Sequence, residues 1–251
     1  MDYESLLDLL KKRRSIHRFK PDPIPDDYIL KIIEAARWAP SGMNSQPWEF
    51  VLVKEPELRA KIIKYVEEDY GQAGSMELTR DPKYKSPLSN PYAASKEYDF
   101  TSAPVFILLF GDTRLKAAFP LVVQYSSQRE QTTFGSSLAY AFLYMHLAAT
   151  SLGLASRWIS AVQSPAAHCL IKDLLGIPPE MEVFDMMVLG YPALTPREKL
   201  MRETTKMVHF GRCSREDFRT DDEVNDYIRK TRTWVTATHR RLADKGLVTP
   251  E

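Results

Sequence analysis

Residues 13–19 read Arg13-Arg14-Ser15-Ile16-His17-Arg18-Phe19. Four cationic or potentially cationic side chains and a hydroxyl fall within six positions, enough for several charge-assisted hydrogen bonds to one phosphate. The alternative reading is the basic end of a helix. Residues 3–12 carry Leu6, Leu7, Leu9 and Leu10 in a short helical pattern, and Lys11, Lys12 and Arg13 would favour the carbonyl end of its dipole. On this segment alone both readings stand. Some twenty residues on, Ala39-Pro40-Ser41-Gly42-Met43-Asn44-Ser45-Gln46-Pro47-Trp48 packs short polar groups between a helix and a strand. Such a run can present hydroxyls and amides to the edge of a planar heteroaromatic ring, and it is also an ordinary turn composition.

The rest of the chain narrows the choice. Thirty-four basic residues stand against 33 acidic ones in 251, so no global basic excess favours a nucleic acid. Ten glycines occur, none arranged as GxGxxG or GxxxxGK[ST]. Both glycine loops that cradle phosphate on a helix N-terminus are therefore missing, and side chains must hold any nucleotide phosphate. Cys169 and Cys213 are too few and too far apart for a disulfide framework or a zinc site, and the five histidines form no HExxH or close pair, so no metal is expected. His168-Cys169 reads as packing on an amphipathic helix, and no GxSxG elbow occurs. The first fifteen residues carry early acids and no apolar core of signal-peptide length. Gln131 to Ser156 lacks formal charge but is interrupted by hydroxyls, amide and imidazole. Its longest apolar run is Leu138–Met145, well short of the ~18 apolar residues a span needs. It reads as a central helix, with Phe134, Tyr140, Phe142, Tyr144 and Met145 as core and dimer contacts. A cytoplasmic, reduced protein without membrane or nucleic-acid partners is expected.

Proline and periodicity divide the chain. Pro21, Pro23 and Pro25 make an extended connector. Asp26 and Asp27 open a helix with the stripe Ile29, Ile32, Ile33 and Ala36, and Trp38 as a further candidate. Residues 48–54 have strand composition, and 56–69 return to helical spacing. Residues 70–100, with Pro82, Pro87 and Pro91, read as a long surface excursion, a lid or binding loop. Residues 104–111 form the clearest strand, apolar enough to be buried on both faces. Helices are expected over 115–129, 134–152 and 165–175, the last capped by Ser164 with Pro165 at its first position. A weaker strand is expected over 154–160 and a further strand over 183–189. From Asp221 a stripe through Val224, Tyr227, Ile228 and Trp234 makes a C-terminal helix that covers its own domain or wraps a partner. The expected organisation is one domain over 1–210, containing the 70–100 loop, and a helical extension over 211–251 acting as a dimer arm.

Taken together, the two opening segments resemble the FMN-dependent nitroreductase family. Residues 13–19 precede residues 39–53 at the family's interval. A buried strand entered by Ala103-Pro104, a long uncharged helix ending in Leu152-Gly153-Leu154, and Leu189-Gly190-Tyr191-Pro192 with a basic segment beyond follow in the family's order. The resemblance spans roughly residues 6–210. It implies an α+β fold, nitroreductase-like, with a central mostly antiparallel β-sheet flanked by helices, in an intertwined homodimer with two shared FMN sites.

Position by position, Arg13, Arg14 and Ser15 match the family's phosphate and flavin-edge contacts. His17 stands where the family usually has Arg or Lys, and a neutral imidazole is a weaker partner for the flavin N1–O2 edge; Arg18 is the substitute. Pro40, Ser41, Gly42 and Asn44 match the loop that reaches the isoalloxazine from the partner chain. Ile159, Ser160 and Ala161 fall near the segment facing flavin N5, with Ser160 as the N5 donor. Lys199 and Arg202 are the further phosphate cations, with Arg197 as rival. The expected activity is ping-pong reduction by NAD(P)H of a nitroaromatic, quinone-like or related small electrophile, which needs few protein acids or bases because the cofactor carries the chemistry.

A narrower similarity is to the iodotyrosine deiodinases. Lys96-Glu97-Tyr98 ahead of Ala103-Pro104 is similar to a stretch whose lysine helps grip a substrate zwitterion, and Glu67 and Tyr70 are the matching acid and phenol upstream. Lys96 also reads as a solvated loop lysine. The similarity implies reductive dehalogenation of a halogenated tyrosine or phenol as the alternative. A non-catalytic flavin-binding protein is the alternative of another class.

Overall fold

In the computed structural model, residues 2–76, 80–84, 100–196 and 199–239 are described. They divide into two compact units, Met1–Tyr70 with Asp99–Pro196, and Gly71–Tyr98 with Arg197–Glu251.

The first unit is a five-stranded antiparallel sheet between two helical layers. The strands are β1 (Phe19–Lys20), β2 (Trp48–Val53), β3 (Val105–Asp112), β4 (Ala155–Ile159) and β5 (Met181–Pro192). β5 is the hub: β3 pairs with it in the register Val105↔Leu189, β4 in the register Ala155↔Gly190, and β1 in the register Phe19↔Pro192, while β2 pairs with β3. β3 is apolar on both faces because both are covered, with side chains alternating across the sheet. Val105, Ile107 and Leu109 join Met187 and Leu189 under α2 (Asp26–Arg37) and α5 (Ser127–Ser151). Phe106, Leu108 and Phe110 join Met186 and Val188 under α3 (Pro56–Met76) and α6 (Pro165–Leu175). The remaining helices are α1 (Tyr3–Lys12) and α4 (Leu121–Gln124) in this unit and α7 (Asp221–His239) in the second.

Several element readings are corrected. Trp38 is not part of the α2 stripe; it is 74% exposed at the helix end, its indole N–H donating to Glu34. α3 runs seven residues past Asp69, to Met76, because no proline interrupts it there and propagation costs little per residue once the helix exists. The helices expected over 115–129 and 134–152 are replaced by a 3-10 run (Thr113–Ala118), the short α4 after Pro120, and the single long α5. The Thr-rich stretch does not break α5. The hydroxyls of Thr132, Ser137 and Thr150 each donate to the carbonyl four residues back and so remain satisfied within the helix. Cys169 is exposed on α6 rather than packed. Ser164 caps α6 as expected, accepting from the Ala167 N–H.

In the second unit, a 3-10 turn over Pro82–Tyr84 meets α7, where the Tyr84 hydroxyl donates to Asn225. Among the described residues no helix is long and apolar enough to cross a membrane, and no cluster of His, Cys, Asp or Glu could hold a metal ion.

Candidate active site

The chain leaves α1 through Arg13 and runs as an arm against the outer edge of β4. The Ile16 N–H donates to the Ser156 carbonyl at 3.2 Å, and Ser15 and Ser156 form an isolated parallel bridge. Downstream, the Phe19 N–H donates to Ser102 Oγ, and the Arg18 carbonyl accepts from Ala193. Ile16 and Phe19 are buried below the arm, which leaves Ser15 exposed and Arg13, Arg14, His17 and Arg18 half-buried. Among the described residues neither Arg13 nor Arg14 has an ion pair or a side-chain hydrogen bond. Burial first, and the neighbouring Arg14 charge second, hold the Arg13 guanidinium below its ordinary pKa. Two adjacent cations with no acidic partner among the described residues create a local field that an anion would neutralise.

Beneath Arg13 lies a polar pair that sequence reasoning missed. His146, on α5, is 6% exposed and its Nδ1 shares a 2.7 Å hydrogen bond with Ser156 Oγ, on β4. The Phe142 ring meets the imidazole edge-on at 4.8 Å between centroids. Burial and then the Arg13 charge push His146 from 6.5 down to about 3, so the ring is neutral at physiological pH. The available signal was a histidine inside an uncharged helix, which reads only as an interruption of an apolar run.

β4 carries the arm near its start and the expected flavin N5 segment at its end, four residues or about 13 Å along an extended strand. Ile159 is fully buried, so only its peptide groups can face a ligand. Ser160 is exposed and opens a 3-10 turn over Ser160–Gln163, with Ala161 half-buried behind it. Behind that turn Asp185 is 0% exposed on β5, facing the Trp158 indole and the Gln163 amide. Desolvation raises its carboxyl from 3.8 to about 7, against the smaller opposing pull of Trp158 and Gln163. An acid inside Val183–Leu189 was the sequence signal for it.

The loop after α2 is held in an unusual shape. Met43, Asn44 and Gln46 have φ of 55°, 52° and 46°, the left-handed region that non-glycine residues seldom occupy. The Gly42 N–H donates to Ser137 Oγ on α5 at 3.0 Å, and the Gln46 N–H to Ser41 Oγ. A Cβ on Gly42 would lie 2.4 Å from Thr133 Cγ2, so α5 and this loop touch only because residue 42 is glycine. Pro40 and Asn44 are exposed, and Ser41 and Gly42 half-buried. The loop meets α5 at Ser137, while the pair under the arm sits on α5 at His146, nine residues or about 13 Å further along the helix.

The remaining expected contacts fall elsewhere. Lys199 and Arg202 belong to the second unit, Lys199 exposed and the Arg202 guanidinium donating to the Lys206 carbonyl. Glu67 is exposed on α3; Tyr70 lies on the same helix, its side chain outside the described residues. Lys96 and Arg197 lie outside the described residues.

A family model described as the nitroreductase family matches residues 10–191. The chain belongs to the nitroreductase family. That match includes the arm, the Ser41–Asn44 loop and the end of β4. The chain is 31% identical over 194 residues to an iodotyrosine deiodinase of Drosophila melanogaster, covering 74% of this chain and 62% of that protein. It is 26% identical over 205 residues to a 5,6-dimethylbenzimidazole synthase of Rhodobacter capsulatus, covering 79% and 88%. A solved nitroreductase with bound FMN from Bacteroides fragilis superposes with a TM-score of 0.58 at 25% identity, covering 84% of this chain and all of that one. Two relatives named for such different reactions show that resemblance defines a scaffold and leaves the substrate to the site.

Proposed function

We propose that this chain is an FMN-dependent oxidoreductase, taking electrons from NAD(P)H and reducing a small electrophilic aromatic compound, a nitroaromatic or quinone, by alternating use of one pocket. The carrying observation is the Arg13–Arg14 pair, half-buried and without an acidic partner among the described residues, next to the exposed Ser15 hydroxyl. This donor set suits a phosphate monoester dianion in a chain with neither glycine loop. When bound, FMN would supply two-electron redox chemistry. The chain's own residues bind and orient. Arg13, Arg14 and Ser15 would hold the phosphate. His17 and Arg18 lie along the flavin edge, and Ser160 with the Ile159 and Ala161 peptides faces N5.

A homodimer with two shared sites fits the exposed apolar surface of the first unit: Tyr140 and Leu143 on α5, Trp158 on β4, and Leu121, Val122 and Tyr125 around α4. It also fits the position of the Pro40–Asn44 loop, displaced along α5 from the arm of its own protomer and so available to a partner's flavin. The strained loop is what a preformed ring contact calls for. Residues 77–79 and 85–99, most of the substrate lid expected over 70–100, and residues 240–251 of the dimer arm expected over 211–251 lie outside the described residues. The exposed thiols of Cys169 and Cys213 fit a reducing cytoplasm.

The test is direct. The purified chain carries a yellow flavin spectrum that bleaches anaerobically with NAD(P)H, while Arg13→Ala loses most of the cofactor on gel filtration. A colourless wild type, or Arg13→Ala with full flavin content, rejects the assignment; flavin that NAD(P)H cannot reduce leaves a binding protein. A second reading, reductive dehalogenation of a halogenated tyrosine, is favoured by the 31% identity to the Drosophila deiodinase and by Lys96-Glu97-Tyr98. Turnover of mono-iodotyrosine against a nitroaromatic decides between the two.

A further inference from the structure

The hydrogen bond between His146 and Ser156 joins two elements of different layers, α5 and β4. What hangs on Ser156 gives the pair a use beyond packing. The Ser156 carbonyl accepts the Ile16 N–H at 3.2 Å, and its backbone bridges to Ser15, so one strand residue presents its main chain to the arm and its hydroxyl to the helix. Arg13 and Arg14 stand immediately upstream of that attachment. The imidazole is kept in place by the Phe142 ring at 4.8 Å and by burial on α5, and the Thr150 hydroxyl occupies the His146 carbonyl. Both side chains of the pair are almost wholly enclosed, 6% and 2% exposed, so neither can touch a ligand.

We infer that His146 and Ser156 are positioning residues for the phosphate grip: the buried pair sets where Ser156 holds the Ser15–Ile16 peptide, and through it where Arg13, Arg14 and Ser15 converge. The inference rests on the phosphate reading proposed above. A hydroxyl bonded to a neutral ring cannot rotate freely, and the edge of β4 is fixed relative to α5 at the residue that carries the arm. Loss of the bond leaves a buried polar group without its partner and lets that edge shift. A displacement of well under an ångström is enough to spoil a multi-donor phosphate site, because each donor must lie within hydrogen-bond range at once.

The effect should be specific to the phosphate. Binding of FMN and of riboflavin, which lacks the phosphate, is titrated by flavin fluorescence on wild type and variants stripped of cofactor. His146→Leu weakens FMN about tenfold and leaves riboflavin within about twofold, a tenfold change being about 1.4 kcal/mol. His146→Asn, whose amide can reach the place of Nδ1, restores FMN affinity to within about threefold. Ser156→Ala, a smaller change that keeps the fold if His146→Leu does not, shows the same selective loss. The double variant is no worse than either single one, since both break the same bond. Equal weakening of both ligands reduces the pair to general packing and overturns the inference, as does unchanged FMN affinity. A wild type that does not distinguish FMN from riboflavin instead rejects the phosphate grip itself.

Discussion

At the scale of single residues, the site divides between groups that touch a ligand and groups that make the touching possible. The proposed phosphate donors Arg13, Arg14 and Ser15 stand out in the sequence because several donors for one anion must sit close together, and in an extended arm closeness in space is closeness in sequence. His146, Ser156 and Asp185 were not legible, since each acquires its role from a residue on another element. The end of β4, proposed above to face the flavin, yields a residue-scale prediction. Ser160 is exposed at the head of the 3-10 turn Ser160–Gln163 and is proposed as a donor to N5. Removal of one hydrogen bond worth about 1 kcal/mol shifts a two-electron potential by about 20 mV. Ser160→Ala should therefore shift the potential of the bound flavin by about that amount and change its rate of reduction by NAD(P)H. Equal potentials and equal reduction rates in a stopped-flow comparison would remove Ser160 from the role.

At the scale of elements, β3 and α5 govern where everything else lies. β3 was readable over its whole length because both of its faces are buried, and a short unbroken apolar run entered by proline fits little besides a covered strand. α5 was readable as a helix but not as one helix, because hydroxyls that donate to their own i−4 carbonyls look in sequence like a boundary. The approach of these two elements depends on Gly111. A Cβ there would lie 2.6 Å from Phe134 and 2.7 Å from Leu138, both on α5. Gly111→Ala must push the helix off the sheet and should cost about 1–3 kcal/mol, the range for overpacked cores, read as a lower urea midpoint. The flavin content should fall with it, because α5 also carries Ser137 under the Ser41–Asn44 loop and His146 under the arm. A variant as stable as wild type would mean that the helix yields without strain.

At the scale of the whole molecule, two buried groups with opposite shifts shape the pH dependence of stability. His146 falls from 6.5 to about 3 on folding. Between those values the unfolded chain holds a proton that the folded chain lacks, so this group's contribution rises with pH and is lost as pH drops from 6.5 towards 3. Asp185 rises from 3.8 to about 7. Here the folded chain holds the extra proton, so its contribution is complete below 3.8 and is lost as pH climbs through 7. Across the shared window, 3.8 to 6.5, the two oppose each other and their sum is nearly flat. His146→Asn should expose a stability that falls with pH, and Asp185→Asn one that rises, each with a slope of about one proton. Urea midpoints at several pH values within that window measure both; slopes of the same sign in the two variants would contradict the assignment.

By itself the sequence determined what is local and periodic: the helices from their stripes and caps, the doubly buried strand from its run, and the cluster of donors at residues 13–15 on which the phosphate proposal rests. It also carried the order of motifs that marks the nitroreductase family, because that order is a property of the chain. Only the tertiary structure decided which residues support the site from behind. His146 meets Ser156 because α5 crosses β4, and Asp185 loses water because helices close over β5. Gly42 and Gly111 are required by a helix distant from them in the chain. The physical reason is common to these cases. A hydrogen bond, a desolvation or a steric contact depends on what packs nearby, and packing is not a function of position along the sequence.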